Sequence, residues 1–101
     1  MDTVVDRLIR YAKVYSESDY HAGRAVTPST QRQFDMGRLL VEELHGLGIE
    51  NAVLDEKCYV YASVPASPGC EHLPAIGLIA HMDTTPDMTG KDVKPQVIHY
   101  E

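Results

Sequence analysis

Pro74-Ala75-Ile76-Gly77-Leu78-Ile79-Ala80-His81-Met82-Asp83-Thr84-Thr85-Pro86-Asp87 is a short apolar run that ends abruptly in a histidine, two acids and a Thr-Thr-Pro turn. A run of this length, bounded by proline at both ends, reads as a strand buried on both faces. Side chains alternate along a strand, so His81 and Asp83 leave it on the same side, where the apolar run gives out. In open α/β sheets ligands occupy the crevice outside the carboxyl ends of the strands. An imidazole beside a carboxylate at such a place is a pairing used by metal sites: the ring binds the ion and the acid fixes its orientation and tautomer. The plainer reading is that His81 caps a strand and bonds a carbonyl, since a three-residue motif recurs by chance. The sharp polar switch, with Thr84, Thr85 and Asp87 in the same turn, favours a site.

Outward from that strand, Asn51–Glu56 and Cys58–Val64 read as two further strands. Val60, Ala62 and Val64 alternate with Tyr59 and Tyr61, and Glu56-Lys57-Cys58 is the expected hairpin turn. Pro65 to Pro74 is a loop. Upstream, Thr3 to Val14 reads as a helix with Val5, Leu8, Ile9 and Ala12 on one face. Thr3 with Asp6 is a capping-box signal, and Asp6 with Arg10 is an acid-before-base pair one turn apart. Residues 16–29 are polar and aperiodic, a loop longer than most, and none of them carries chemistry by its own features. A second helix is expected from Ser29 or Thr30 at its N-cap to about His45, with Phe34, Gly37, Leu40, Val41 and Leu44 as its stripe. Gly46-Leu47-Gly48 is its stop, and Gly37 inside the stripe implies close approach to a sheet. Gln96–Glu101 reads as the beginning of another strand, which implies that the chain is the N-terminal piece of a larger protein. The architecture expected is α/β, a mixed sheet flanked by helices on both sides.

Composition sets the outer limits. At 101 residues, with 44% hydrophobic and 24% charged residues, the chain is an ordinary small globular unit. A net charge of −6 with scattered Lys and Arg argues against a nucleic-acid or anionic-membrane partner. No apolar run is long enough to span a bilayer, and Asp2 and Asp6 stand where a signal peptide needs a basic start. Cys58 and Cys70 form neither a redox motif nor a disulfide framework, which suits a cytoplasmic location. His21, His45, His72 and His99 are isolated and are expected to be surface or core histidines.

The strand and its polar end resemble the first metal motif of the two-zinc exopeptidase family, which also holds aminoacylases and succinyl-diaminopimelate desuccinylase. The His-x-Asp-Thr core is shared across that family. The following Thr-Pro-Asp, the Gly90-Lys91-Asp92-Val93-Lys94-Pro95-Gln96 tail and the Val26-Thr27-Pro28-Ser29-Thr30 loop resemble one branch of it, aminopeptidases acting on tripeptides. The resemblance implies that residues 1–101 are an incomplete N-terminal part of a catalytic domain, with the remaining catalytic part and a lid or dimerisation domain absent. It also implies that His81 is a zinc ligand, that Asp83 is the catalytic-site acid orienting it, and that the intact enzyme, a possible homodimer, holds two zinc ions. The other ligands and the general base fall outside these 101 residues, so the piece alone is expected to be inactive. That branch carries glycine where this chain has Cys58, and a turn that needs a positive backbone angle would strain a cysteine. Two alternatives stay open: an amidohydrolase or deacylase of the same family acting on N-acyl amino acids, and a non-catalytic module that kept the fold.

Overall fold

The computed structural model describes residues 1–101. It contains two helices, α1 (Val4–Ala12) and α2 (Gln33–Gly46), and one antiparallel hairpin of β1 (Val53–Leu54) and β2 (Val60–Tyr61), so the α/β class holds.

Helix α1 starts where the sequence places it. The Thr3 hydroxyl accepts from the Asp6 amide at 3.1 Å, and the Thr3 amide donates to the Asp6 carboxylate at 2.8 Å, completing the capping box. Because Asp6 is turned back onto Thr3, the expected Asp6–Arg10 pair does not form. Arg10 instead reaches Asp2 at 2.6 Å and the carboxylate of Glu43, which also accepts from the Tyr11 hydroxyl. This polar cluster ties α1 to α2. No residue of α1 is fully buried: in its apolar stripe Val5 and Leu8 are exposed, and Ile9 and Ala12 are half-buried.

Helix α2 begins about a turn later than its N-cap signal suggested. Bonds from Gln33, Phe34 and Asp35 back to residues three earlier make a tight turn over 30–35, and Arg32 at the cap position supplies no side-chain bond. The Ser29 and Thr30 hydroxyls accept instead from the buried Gln33 amide group, each at 3.1 Å. Side chain–side chain satisfaction has displaced backbone capping. The other end follows the sequence closely. The Ile49 amide bonds the Leu44 carbonyl and the Gly48 amide bonds the His45 carbonyl, both at 2.9 Å, and Gly48 has φ +85°, which is a Schellman stop.

The hairpin packs on α2 at Gly37. A Cβ built there would stand 2.7 Å from Leu54 Cδ1, so the roughly 1 kcal/mol that glycine costs a helix permits this close approach. The strands are shorter than expected because side chains take over at both ends. The Asn51 side-chain amide bonds the Ser63 backbone in both directions, at 2.9 and 3.0 Å, beyond the Val53–Tyr61 pair. At the turn, Asp55 Oδ1 accepts from the amides of Lys57 and Tyr59 at 2.9 and 2.8 Å. This geometry puts Cys58 at φ +67°, the positive angle at which cysteine is strained. Met36, Ala52 and Cys58 form a small core between α2 and the hairpin.

The expected central strand is the main correction. Residues 74–81 form no strand and make no backbone hydrogen bond, and Ile76 and Leu78 are 89% and 94% exposed. A strand buried on both faces needs neighbours along both edges and helices over both faces, and these 101 residues supply neither for it. Residues 96–101 likewise remain unpaired, with Ile98 and Tyr100 exposed. In place of the mixed sheet flanked by helices stands a two-stranded antiparallel hairpin packed on α2.

Candidate metal centre

The segment that carries His81 and Asp83 is anchored just past its apolar part, by the start of the long loop. Glu17 and Thr84 form an isolated parallel bridge. In it the Ser18 amide donates to the Thr84 carbonyl at 2.9 Å and the Thr84 amide to the Ser16 carbonyl at 3.3 Å. The Ser16 hydroxyl, 1% exposed, donates to the Met82 carbonyl at 3.2 Å. Extended backbone fixed at 82 and 84 sends the side chains of 81, 83 and 85 to one side. There His81 Nδ1 meets Asp83 Oδ1 at 3.1 Å. The two side chains lie within hydrogen-bond reach, although not at the end of a sheet strand.

With the proton on Nδ1 donated to the carboxylate, His81 keeps its Nε2 lone pair for an external partner. Nothing in the chain takes it. The His81 side chain is 85% exposed and Asp83 35%, an exposure at which such a contact contributes little to stability. No third His, Cys, Asp or Glu joins them to form a cluster able to hold a metal ion. The donor types suit zinc, an imidazole nitrogen oriented by an acid, but they supply one ligand of the three or four that a zinc site uses. The pair opens on a cleft of about 370 Å³ between Pro28, Gln33 and the Lys57–Tyr59 turn.

The loop that looked featureless in the sequence closes on the same turn. The Tyr20 hydroxyl lies 2.7 Å from Thr85 Oγ1 and 2.9 Å from Asp87 Oδ2, and Thr85 also donates to Asp87. The Glu17 carboxylate accepts from the Gly90 amide at 3.1 Å. Nothing in a polar, aperiodic stretch signalled these contacts, because they join residues more than 60 positions apart. His21 stays out of the site, engaged only through its amide with Asp19, and His45 is structural, bonded to the Ala52 carbonyl at 2.9 Å.

Hydrogen bonds from Thr85 and then Tyr20 hold the Asp87 carboxyl below its ordinary 3.8. A depressed carboxyl pKa contributes stability that is present above about pH 3.8 and is lost as pH falls through the lower folded value. The loop–turn contact is therefore expected to hold throughout the neutral range and to release only in strong acid. An NMR titration of the Tyr20 ring checks this: its transition lies below pH 3.8 and disappears in Asp87→Asn, and a transition above that value contradicts the assignment.

No helix is long and apolar enough to cross a membrane. No family model matches the chain. Among curated proteins it is 50% identical over 99 residues to the peptidase T of Alkaliphilus oremlandii, covering 97% of this chain and 24% of that protein. It is also 50% identical over 99 residues to the peptidase T of Halothermothrix orenii, covering 97% and 23%. The peptidase T of Geobacillus kaustophilus is 44% identical over 95 residues, covering 94% and 22%. The chain thus spans about a quarter of the length of the curated relatives it matches.

Proposed function

We propose, from a chain homologous to peptidase T over nearly its whole length, that the protein to which it belongs is a zinc-dependent aminopeptidase that removes the N-terminal residue from tripeptides. Residues 1–101 are the N-terminal part of its catalytic domain, with the rest of that domain and a lid or dimerisation domain encoded beyond them. The observation that carries the reading within the chain is the His81–Asp83 pair, whose Nδ1 is engaged and whose Nε2 is free. His81 would hold one zinc ion through Nε2, and Asp83 would fix the ring and raise its basicity. A bound zinc pair supplies Lewis acidity toward the scissile carbonyl and a water of lowered pKa. The chain's own contribution is to place the imidazole on an anchored segment, beside a cleft that a short peptide can enter. The 101 residues alone hold too few ligands for tight zinc binding and are inactive. The working site is cytoplasmic, a homodimer is compatible with the reading, and neither nucleic acid nor membrane is a partner.

The experiment compares the full-length protein's turnover of a free-amino tripeptide with that of the same peptide N-acetylated, with and without a zinc chelator. The expected result is chelator-sensitive cleavage of the free peptide alone. Equal turnover of both replaces the aminopeptidase with an amidohydrolase of the same family. Turnover of neither favours the non-catalytic module.

A further inference from the structure

We propose that Tyr20 is a positioning residue for the metal-ligand pair, acting through the turn that follows it; this rests on the metallopeptidase reading above. The Tyr20 hydroxyl, Thr85 Oγ1 and Asp87 Oδ2 form a closed triangle. Two hydroxyls bring two protons to three contacts, so one contact is necessarily proton-free. An ionised Asp87 attracts both protons, because hydrogen bonds to a charged acceptor are the stronger ones. Tyr20 and Thr85 therefore both donate to the carboxylate.

The consequence is mechanical. Thr85 shares a side of the extended segment with His81 and Asp83, because side chains two apart point the same way. The segment has no sheet neighbour to hold it. Residues 74–81 make no backbone hydrogen bond, and beyond them it is fixed by Ser16 and Ser18 at Met82 and Thr84. Those bonds fix the backbone at 82 and 84, but all of them come from one edge, residues 16 to 18, and the opposite edge has no backbone partner. The contact at Thr85 and Asp87, reached from Tyr20, adds a side-chain hold beyond that edge and limits twisting of the segment about it. Twisting at residue 85 carries 83 and 81 with it, so Tyr20 steadies the direction in which the imidazole and its carboxylate face. Glu17, bonded to the Gly90 amide at 3.1 Å, gives the loop a further hold beyond the turn. Residues 17 to 20 thus form a strap over the metal motif, and Tyr20 is the member that controls orientation.

The test uses the full-length protein and three variants: Tyr20→Phe, which keeps the ring and deletes the hydroxyl, Thr85→Val, which keeps the shape and deletes the other donor, and the double variant. Zinc affinity is read by chelator competition, kcat and KM on a free-amino tripeptide, and amide hydrogen exchange at Thr84 and Gly90. The expected result for Tyr20→Phe is zinc affinity weakened by about 10-fold, at the low end of the range for outer partners of a metal ligand. The loss of activity falls on kcat, KM stays nearly unchanged, and exchange at Thr84 rises. The double variant costs little more than either single change, because both act through one carboxylate. A lower melting temperature with unchanged zinc affinity, kcat and Thr84 exchange overturns the inference and leaves Tyr20 as packing. Absence of zinc binding and of peptide cleavage in the unmodified protein overturns the underlying reading instead, and the positioning role falls with it.

Discussion

His81→Ala in the full-length protein is expected to lose one zinc ion and nearly all tripeptide hydrolysis together, while Asp83→Asn keeps much of the metal and loses about 10–100-fold in affinity or activity. The difference follows from what each group does. His81 offers the free nitrogen, and apart from Asp83 no His, Cys, Asp or Glu of the chain groups with it as a metal-binding cluster. Asp83 touches the other ring nitrogen at 3.1 Å, and asparagine there still accepts that hydrogen bond but brings no charge to raise the basicity of the ring. Zinc content by atomic absorption, measured beside turnover, separates the two roles. Full zinc and full activity in His81→Ala would remove the site. Equal losses in the two variants would move Asp83 from orienting acid to direct ligand.

The second large effect concerns stability and sits in the hairpin turn. Cys58→Val is expected to destabilise the protein by about 2–3 kcal/mol, the upper part of the range for a residue forced into a sparsely populated backbone region. Cys58 has φ +67°, and a β-branched side chain tolerates that angle worse than the unbranched thiol does. Cys58→Gly is expected to be close to neutral. Relief of the strained angle, about 1 kcal/mol, is offset by loss of a small side chain buried to 5% exposure. Chemical denaturation of the full-length protein measures both. A Cys58→Val variant as stable as the parent would mean that the turn relaxes into another conformation. Burial, with Asp55 nearby, pushes the Cys58 thiol up. It therefore stays protonated at neutral pH and should resist alkylation until the hairpin opens.

What the sequence made legible depended on how local the determinant was. The capping box of α1, the Schellman stop at Gly48 and the close approach at Gly37 each follow from residues within a few positions of one another, and each is present, whereas the strained turn at Cys58 is legible only through the resemblance, which puts glycine there. The His81–Asp83 contact belongs to the same class, being set by two-residue alternation. Two expectations fail, for different physical reasons. Spacing pairs Asp6 with Arg10, but Asp6 has a nearer backbone partner in Thr3 and Arg10 a better-buried one in Glu43. The strand expected at 74–80 rests on apolar character, which states what a segment needs and not whether the neighbours are at hand. Tyr20 escaped notice because a hydroxyl in a polar loop carries no pattern, and its partners lie 65 and 67 positions away.

The span of the Ser16–Met82 contact has a kinetic consequence. It joins residues 66 apart, whereas the Val53–Tyr61 pair closes over eight positions. Logarithmic scaling of loop entropy makes the longer closure costlier by about 2 kcal/mol. Short-range pieces therefore assemble first: α2 and the hairpin meet early, and the platform beneath His81 and Asp83 forms late. A partly folded population will show native helix and hairpin signals with no competence to bind metal. In the full-length protein, recovery of zinc binding after dilution from denaturant should lag recovery of helical circular dichroism. Under mild denaturation the same order runs backwards, and the ligand pair is the first feature of the fold to be lost.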